Sequence, residues 1–174
     1  MVGKIFLTGF MGSGKSSFGR RLAARLGRDF VDTDREIERI AEASILEIFA
    51  TRGEEWFREL ESEVIEGLKE LNDNTVVALG GGAACREGVV ERLRGQGTVV
   101  YLKMSPERLV RQIGQKGRDK RPKISGMNDE QLLSYINKTL PEREIFYNKA
   151  NFVVDCEAVS DERIVELLAG QISL

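Results

Sequence analysis

Histidine is missing from this 174-residue chain, and with it goes every mechanism that needs an imidazole base and every histidine-ligated zinc site. Acid–base work is left to carboxylates, lysine or water. Cysteine is scarce: Cys85 and Cys156 are the only two, far apart and without CxxC spacing, so reduced, buried and inert thiols are expected. Three prolines, no internal repeat and no low-complexity tract leave no linker to divide the chain. Its length suits one domain that buries roughly 70% of its unfolded surface. No apolar stretch reaches the roughly 20 residues a membrane helix needs, so no membrane partner is expected. An excess of one charge is lacking too. The 26 Lys and Arg stand against 28 Asp and Glu, a formal net charge of −2, which makes no electrostatic case for nucleic acid. After Met1 a short apolar run enters a glycine loop rather than a signal-peptide cleavage site. A cytoplasmic protein is therefore expected, and, from its size and ordinary hydrophobicity, a monomer.

What is present is an alternation of short apolar runs with amphipathic stretches. Residues 4–8 suit a buried strand, 9–14 a glycine-rich turn, and 15–26 a helix with Phe18, Leu22 and Leu26 on one face. A second short strand is expected at 30–32, helical spacing at 35–43 and 44–50, and a longer helix at 54–71 with a stripe of Phe57, Leu60, Val64 and Leu68. The continuous apolar runs 75–79 and 98–102 suit central parallel strands, the second leading to a helix near Pro106. Residues 152–154 supply a fifth strand, and Ser160 can cap a closing helix at 161–169. This pattern predicts an α/β fold of three layers, a five-stranded parallel sheet with helices on both faces. Residues 111–126 stand apart, with six Lys or Arg, one Asp, three Gly and Pro122, and few apolar anchors. That is the composition of a mobile lid. The natural partition is one domain over residues 1–174, with insertions.

The strongest chemical signal is Gly9-Phe10-Met11-Gly12-Ser13-Gly14-Lys15-Ser16, a GxxxxGK[ST] phosphate-binding loop in the strand-to-helix context that it requires. Its glycines let backbone N–H groups point at phosphate oxygens, the helix offers its positive end, Lys15 reaches the β- and γ-phosphates, and Ser16 coordinates Mg²⁺. Asp32-Thr33-Asp34 puts two carboxylates at a strand's carboxyl end, where open α/β sheets bind ligands. Either carboxylate could instead cap the helix that follows. Arg58 taken alone is a solvated helix arginine paired with Glu54, Glu61 or Ser62. Gly80-Gly81-Gly82 ends the third strand without a Cβ, which suits a ligand's close approach or a tight turn. Arg121-Pro122 in the lid and Arg143 gain meaning only collectively.

Read in order, these motifs resemble the shikimate kinase family, within the nucleoside-monophosphate-kinase-like P-loop proteins, from residue 5 to about 154. The matching features are the P-loop, Asp32-Thr33-Asp34, Gly53-Glu54 followed by Phe57-Arg58, Gly80-Gly81-Gly82, Arg121-Pro122, and Arg143 four before Tyr147. The resemblance implies a three-layer P-loop fold, with an acceptor-binding insertion at about 33–61 and a lid at about 111–126. It also implies transfer of the ATP γ-phosphoryl group to the 3-hydroxyl of shikimate, with Mg²⁺, on the route to aromatic amino acids. ATP would lie on Gly12, Ser13, Gly14, Lys15, Ser16 and Ser17 with Arg121 closing over it, and Mg²⁺ on Ser16 and, through water, on Asp32. Shikimate would be held by Asp34, Arg58, Gly80, Gly81, Gly82 and Arg143, with the two arginines on its carboxylate and Glu61 orienting Arg58. Lys15, Asp34 and Arg121 would be catalytic. The chain departs from the family pattern at Lys123, where an apolar residue is usual. It departs again at residues 155–160, which lack the usual arginine near the adenine and leave Arg118 as a candidate. Rival readings are another small-molecule kinase such as a gluconate kinase, a nucleoside monophosphate kinase, which Asp34 disfavours by repelling a phosphate acceptor, and an ATP-binding module without turnover.

Overall fold

The computed structural model of the protein describes residues 3–158 and 160–172. The chain runs β1 (Lys4–Thr8), α1 (Lys15–Leu26), β2 (Asp29–Asp32), α2 (Thr33–Ala41), α3 (Ile45–Thr51), α4 (Gly53–Gly67), β3 (Thr75–Ala78), α5 (Val89–Arg94), β4 (Gly97–Lys103), α6 (Pro106–Asp119), α7 (Asp129–Tyr147), β5 (Phe152–Asp155) and α8 (Asp161–Ile172). The strands form one sheet in the order β2-β3-β1-β4-β5, and every pairing is parallel. Because successive side chains of a strand point to opposite faces, each strand feeds two cores. Phe6, Val77, Val99 and Tyr101 pack on one face against residues of α5, α6 and α7. Ile5, Leu7, Val76, Val100 and Leu102 pack on the other against Phe18 and Leu22 of α1 and Ile164 and Leu168 of α8. The three-layer expectation is met.

The insertion that follows β2 carries a core of its own, in which Ile37 and Ala41 of α2 and Ile48 of α3 meet Phe57, Leu60 and Val64 of α4. Its helices have clear starts. Asp32 caps α2 two residues before the expected boundary, accepting from the N–H groups of Asp34 (3.1 Å) and Arg35 (3.4 Å). Ser44 and Glu47 form a reciprocal capping box on α3. The helix expected at 54–71 ends as α at Gly67 and tightens into a 3₁₀ turn over Leu68–Glu70. Ser160 caps α8 as expected, accepting from Arg163 N–H at 3.3 Å.

Two helices escaped the sequence reading. α5 is only six residues long. α7 carries Pro141 in its interior, a residue that argues against a helix core, although Leu132, Ile136 and Leu140 recur at helical spacing on its buried side. The lid composition also misled. Residues 111–119 continue α6 through a kink at Gly114 (φ 54°, ψ 179°), and Pro122–Ile124 form a 3₁₀ turn. The segment does have apolar anchors: Ile113 and Ile124 are buried, and Ile113 packs on Gly12 of the glycine loop. Cys85 and Cys156 are not joined in a disulfide, and each is only partly buried where full burial was expected.

Candidate functional site

The loop between β1 and α1 begins the site. Gly14 (φ 81°, ψ 11°) precedes α1 in the left-handed region, which a side chain would strain, and no atom lies within 4 Å of where its Cβ would be. The loop leads into the positive end of a 12-residue helix with no acidic residue in its first turn, and the Ser13 N–H is held by Phe10 O at 3.1 Å. Ser13 is buried, and its Oγ has no hydrogen-bond partner among the described residues. Ser16 and Ser17 are exposed on the first turn. The Lys15 ammonium lies back across the loop, donating to the carbonyls of Gly9 and Phe10, both at 2.9 Å. Burial lowers its pKa to about 8, against the opposing pull of Asp34 and then Asp32.

Asp32 and Asp34 stand opposite this lysine. Asp32 uses Oδ1 to cap α2, so the helix-cap reading of this residue is what the geometry shows. Asp34, on the first turn of α2, has its pKa raised to about 6, chiefly by burial and next by the neighbouring Asp32 charge, with Lys15 opposing. Thr33 Oγ1 accepts from Gly80 N–H at 2.8 Å, which ties α2 to the glycine run after β3. Gly80 is required there for space, because a Cβ would collide with Asp34 Oδ1. Oxygen donors of this kind, a serine hydroxyl and one or two carboxylates beside a phosphate cradle, fit a hexacoordinate Mg²⁺ that takes its remaining ligands from phosphate and water.

The glycine run forms the floor of a cleft of about 120 Å³ lined by Asp34, Arg58, Gly81, Gly82, Arg121 and Arg143 among others. Arg58 enters from α4. Its Nη1 donates to Glu61 Oε2 at 2.7 Å and its Nη2 to Glu54 Oε1 at 3.2 Å. Glu61 is 2% exposed and is approached from its other side by Arg86 at 3.6 Å. Arg143 enters from α7, with its guanidinium 4.9 Å from the centre of the Phe10 ring and Nη1 3.4 Å from Gly81 O. Tyr147, one turn on, donates its hydroxyl to the same carbonyl. Arg121 comes from the lid. It is half-buried, donates to Gly117 O, and is close enough to act on the titration of Lys15 while Asp34 acts on its own.

The structure therefore brings the sequence candidates together: a phosphate cradle with Lys15 on one side, two arginines and Asp34 on the other, and a lid arginine between. Three residues were under-read. Tyr147 entered only as a spacing mark, Phe10 as a variable loop position, and Lys123 as a departure, yet Lys123 Nζ lies 2.6 Å from Glu54 Oε1. Arg118, the candidate for adenine, is corrected. It is 5% exposed, donates to Met127 O at 3.1 Å and pairs with Asp129, so it braces the junction between α6 and α7.

A family profile described as shikimate kinase matches residues 11–172. A shikimate kinase of Parabacteroides distasonis is 37% identical over 159 residues, covering 91% of each chain. Among solved structures, the shikimate kinase of Bacteroides thetaiotaomicron superposes with a TM-score of 0.88 at 32% identity, covering 98% of both chains. That of Acinetobacter baumannii, solved in complex with shikimate, gives 0.86 at 33% identity, with 99% of this chain and 93% of that one covered.

Proposed function

We propose, because this chain belongs to the shikimate kinase family, that it is an ATP-dependent shikimate kinase, converting shikimate and ATP to shikimate 3-phosphate and ADP in aromatic amino acid biosynthesis. One observation carries the reading: a single cleft is lined by Arg58 and Arg143, two guanidiniums suited to clamp an anion, together with the buried carboxylate Asp34, directly beside the glycine loop.

Phosphoryl transfer asks the protein for alignment and charge neutralisation more than for covalent chemistry. The loop backbone of Gly12, Ser13 and Gly14, the ammonium of Lys15 and the hydroxyls of Ser16 and Ser17 would hold the triphosphate. Mg²⁺, held by Ser16 and through water by Asp32, would neutralise charge on the phosphoryl oxygens. Arg58 and Arg143 would take the acceptor carboxylate, for which planar guanidinium forks are suited. Glu61 keeps Arg58 in place. The backbone of Gly80, Gly81 and Gly82 would let the ring lie against the floor, with its 3-hydroxyl donating to Asp34. Lys15 and Arg121 would then stabilise the charge that grows on the transferring group. The adenine would occupy a second cavity at the carboxyl end of β4 and β5, between Arg108 and Gln112 of α6 and the loop at Cys156. A cytoplasmic, monomeric enzyme completes the proposal. Among the described residues no helix is long and apolar enough to cross a membrane.

A coupled ADP-release assay with Mg²⁺-ATP tests it, comparing shikimate with gluconate, AMP and no acceptor. Release that depends on shikimate is expected. Release with another acceptor alone, or with none, overturns the substrate assignment. Arg58→Ala and Arg143→Ala should each raise the shikimate Kd by about tenfold or more, as each removes one of two charge-assisted contacts to the carboxylate, with ATP affinity unchanged. Unaltered shikimate titrations in both would sink the clamp.

A further inference from the structure

Arg58 faces a competition in the cleft. Two carboxylates of its own helix, Glu54 and Glu61, already hold it, and an acceptor carboxylate must share the same guanidinium. Glu61 is fixed: it is 2% exposed and held between Arg58 and Arg86. Glu54 is not fixed in that way. It is about half exposed, and its Oε1 lies 3.2 Å from Arg58 Nη2, 3.4 Å from Arg58 Nε, and 2.6 Å from Lys123 Nζ. The shortest of these three contacts is the one that reaches across from the lid. Lys123 sits in the 3₁₀ turn Pro122–Ile124, directly after Arg121-Pro122 and beside the buried anchor Ile124. Ile124 anchors that turn in the core beneath the sheet, and the turn lies against α3 of the insertion.

We propose that Lys123 is a positioning residue for acceptor binding: by drawing Glu54 Oε1 to 2.6 Å, against 3.2 and 3.4 Å from Arg58, it loosens the hold of Glu54 on the Nε and Nη2 edge of Arg58, so that a substrate carboxylate can displace it there, and it docks the lid on α4. The inference rests on the acceptor reading above and names a residue that acts through Glu54 rather than on the substrate. Without the ammonium, Glu54 would relax onto Arg58 alone and would be harder for the acceptor to displace. The Glu54 carboxylate is held below its usual range first by the hydrogen bond from Lys123, and further by Arg58, so it stays charged at neutral pH and the competition is real. Lys123 thus supports the anion preference of the clamp without touching the anion.

The test is a double-mutant cycle, K123M and E54Q singly and together, read by shikimate titration of the fluorescence of Trp56, the single tryptophan, which lies on α4. K123M keeps most of the unbranched apolar stem and removes the ammonium, its charge and its hydrogen bond to Glu54 together. If Lys123 works by occupying Glu54, K123M should weaken shikimate binding about three- to tenfold when Glu54 is present and less than about twofold in the E54Q background, with kcat at saturating shikimate within about threefold of the parent. Equal weakening in both backgrounds would mean direct contact or general damage, and no weakening in either would mean the pair is idle; each overturns the proposal. Parent protein that neither binds nor phosphorylates shikimate would instead overturn the acceptor reading itself, so the two failures are distinct. Thermal melts of the four proteins confirm that each is folded when titrated.

Discussion

Replacing Arg121 with alanine is expected to lower turnover at least about a hundredfold while moving the shikimate KM only a few-fold. The arginine is half-buried at the lid end of the cleft and shares an electrostatic environment with Lys15 and Asp34, yet its hydrogen bond is to the lid's own Gly117 carbonyl. It can therefore exchange a contact internal to the lid for oxygens that become more negative as the phosphoryl group transfers. A donor of that kind in a water-poor site contributes about 3 to 4 kcal/mol to the transition state, and it does so without holding the ground-state acceptor, whose carboxylate faces Arg58 and Arg143. Loss should appear in kcat and kcat/KM together. Arg121→Lys keeps the charge but loses the planar fork, so partial recovery is expected. Steady-state rates with each substrate saturating decide the matter. Unchanged turnover in the alanine variant would remove Arg121 from the mechanism.

The parts legible in the sequence are those whose physics is local. A glycine loop between an apolar run and an amphipathic run carries its meaning in eight consecutive residues, and Arg58 with Glu54 and Glu61 lie three or four apart on one helix. For Arg58 and Asp32 the modest alternatives were true as well: Arg58 does pair with its helix neighbours and Asp32 does cap α2, while Arg58 still lines the cleft and the Asp32 charge still acts on Lys15 and Asp34. The rest was hidden for identifiable reasons. Pro141 disguised α7, and basic composition disguised the helix that makes up most of the lid, whose anchors Ile113 and Ile124 find partners far away in the chain. The contacts of Lys123 with Glu54, of Tyr147 with Gly81 and of Arg143 with Phe10 join residues more than sixty positions apart. No spacing rule can report them.

Asp34→Asn should separate activity from stability in opposite directions. The folded protein raises this carboxyl from its ordinary 3.8 to about 6, mainly by burial and then by the Asp32 charge. The ionised form is thus penalised by folding, and at about 1.4 kcal/mol per pH unit the native state gives up roughly 3 kcal/mol wherever Asp34 is charged in both states. The sign follows. Above about pH 6 the full penalty applies, between 6 and 3.8 it shrinks as the native protein takes up the proton that the unfolded chain does not yet hold, and below 3.8 it vanishes. The asparagine variant should therefore melt several degrees higher than the parent at pH 8, with the difference narrowing as pH falls through 6 toward 4. Its turnover should drop at least about a hundredfold, because the amide neither accepts the acceptor hydroxyl's proton nor aligns it as a carboxylate does. The parent's kcat/KM for shikimate should fall with a one-proton slope below about pH 6. Paired melts and rates across pH 5 to 8 measure all of this. A variant that is inactive but no more stable would show that Asp34 is better solvated than its burial implies, and one that keeps a tenth of the activity would leave alignment by Arg58 and Arg143 as the source of catalysis on the acceptor side.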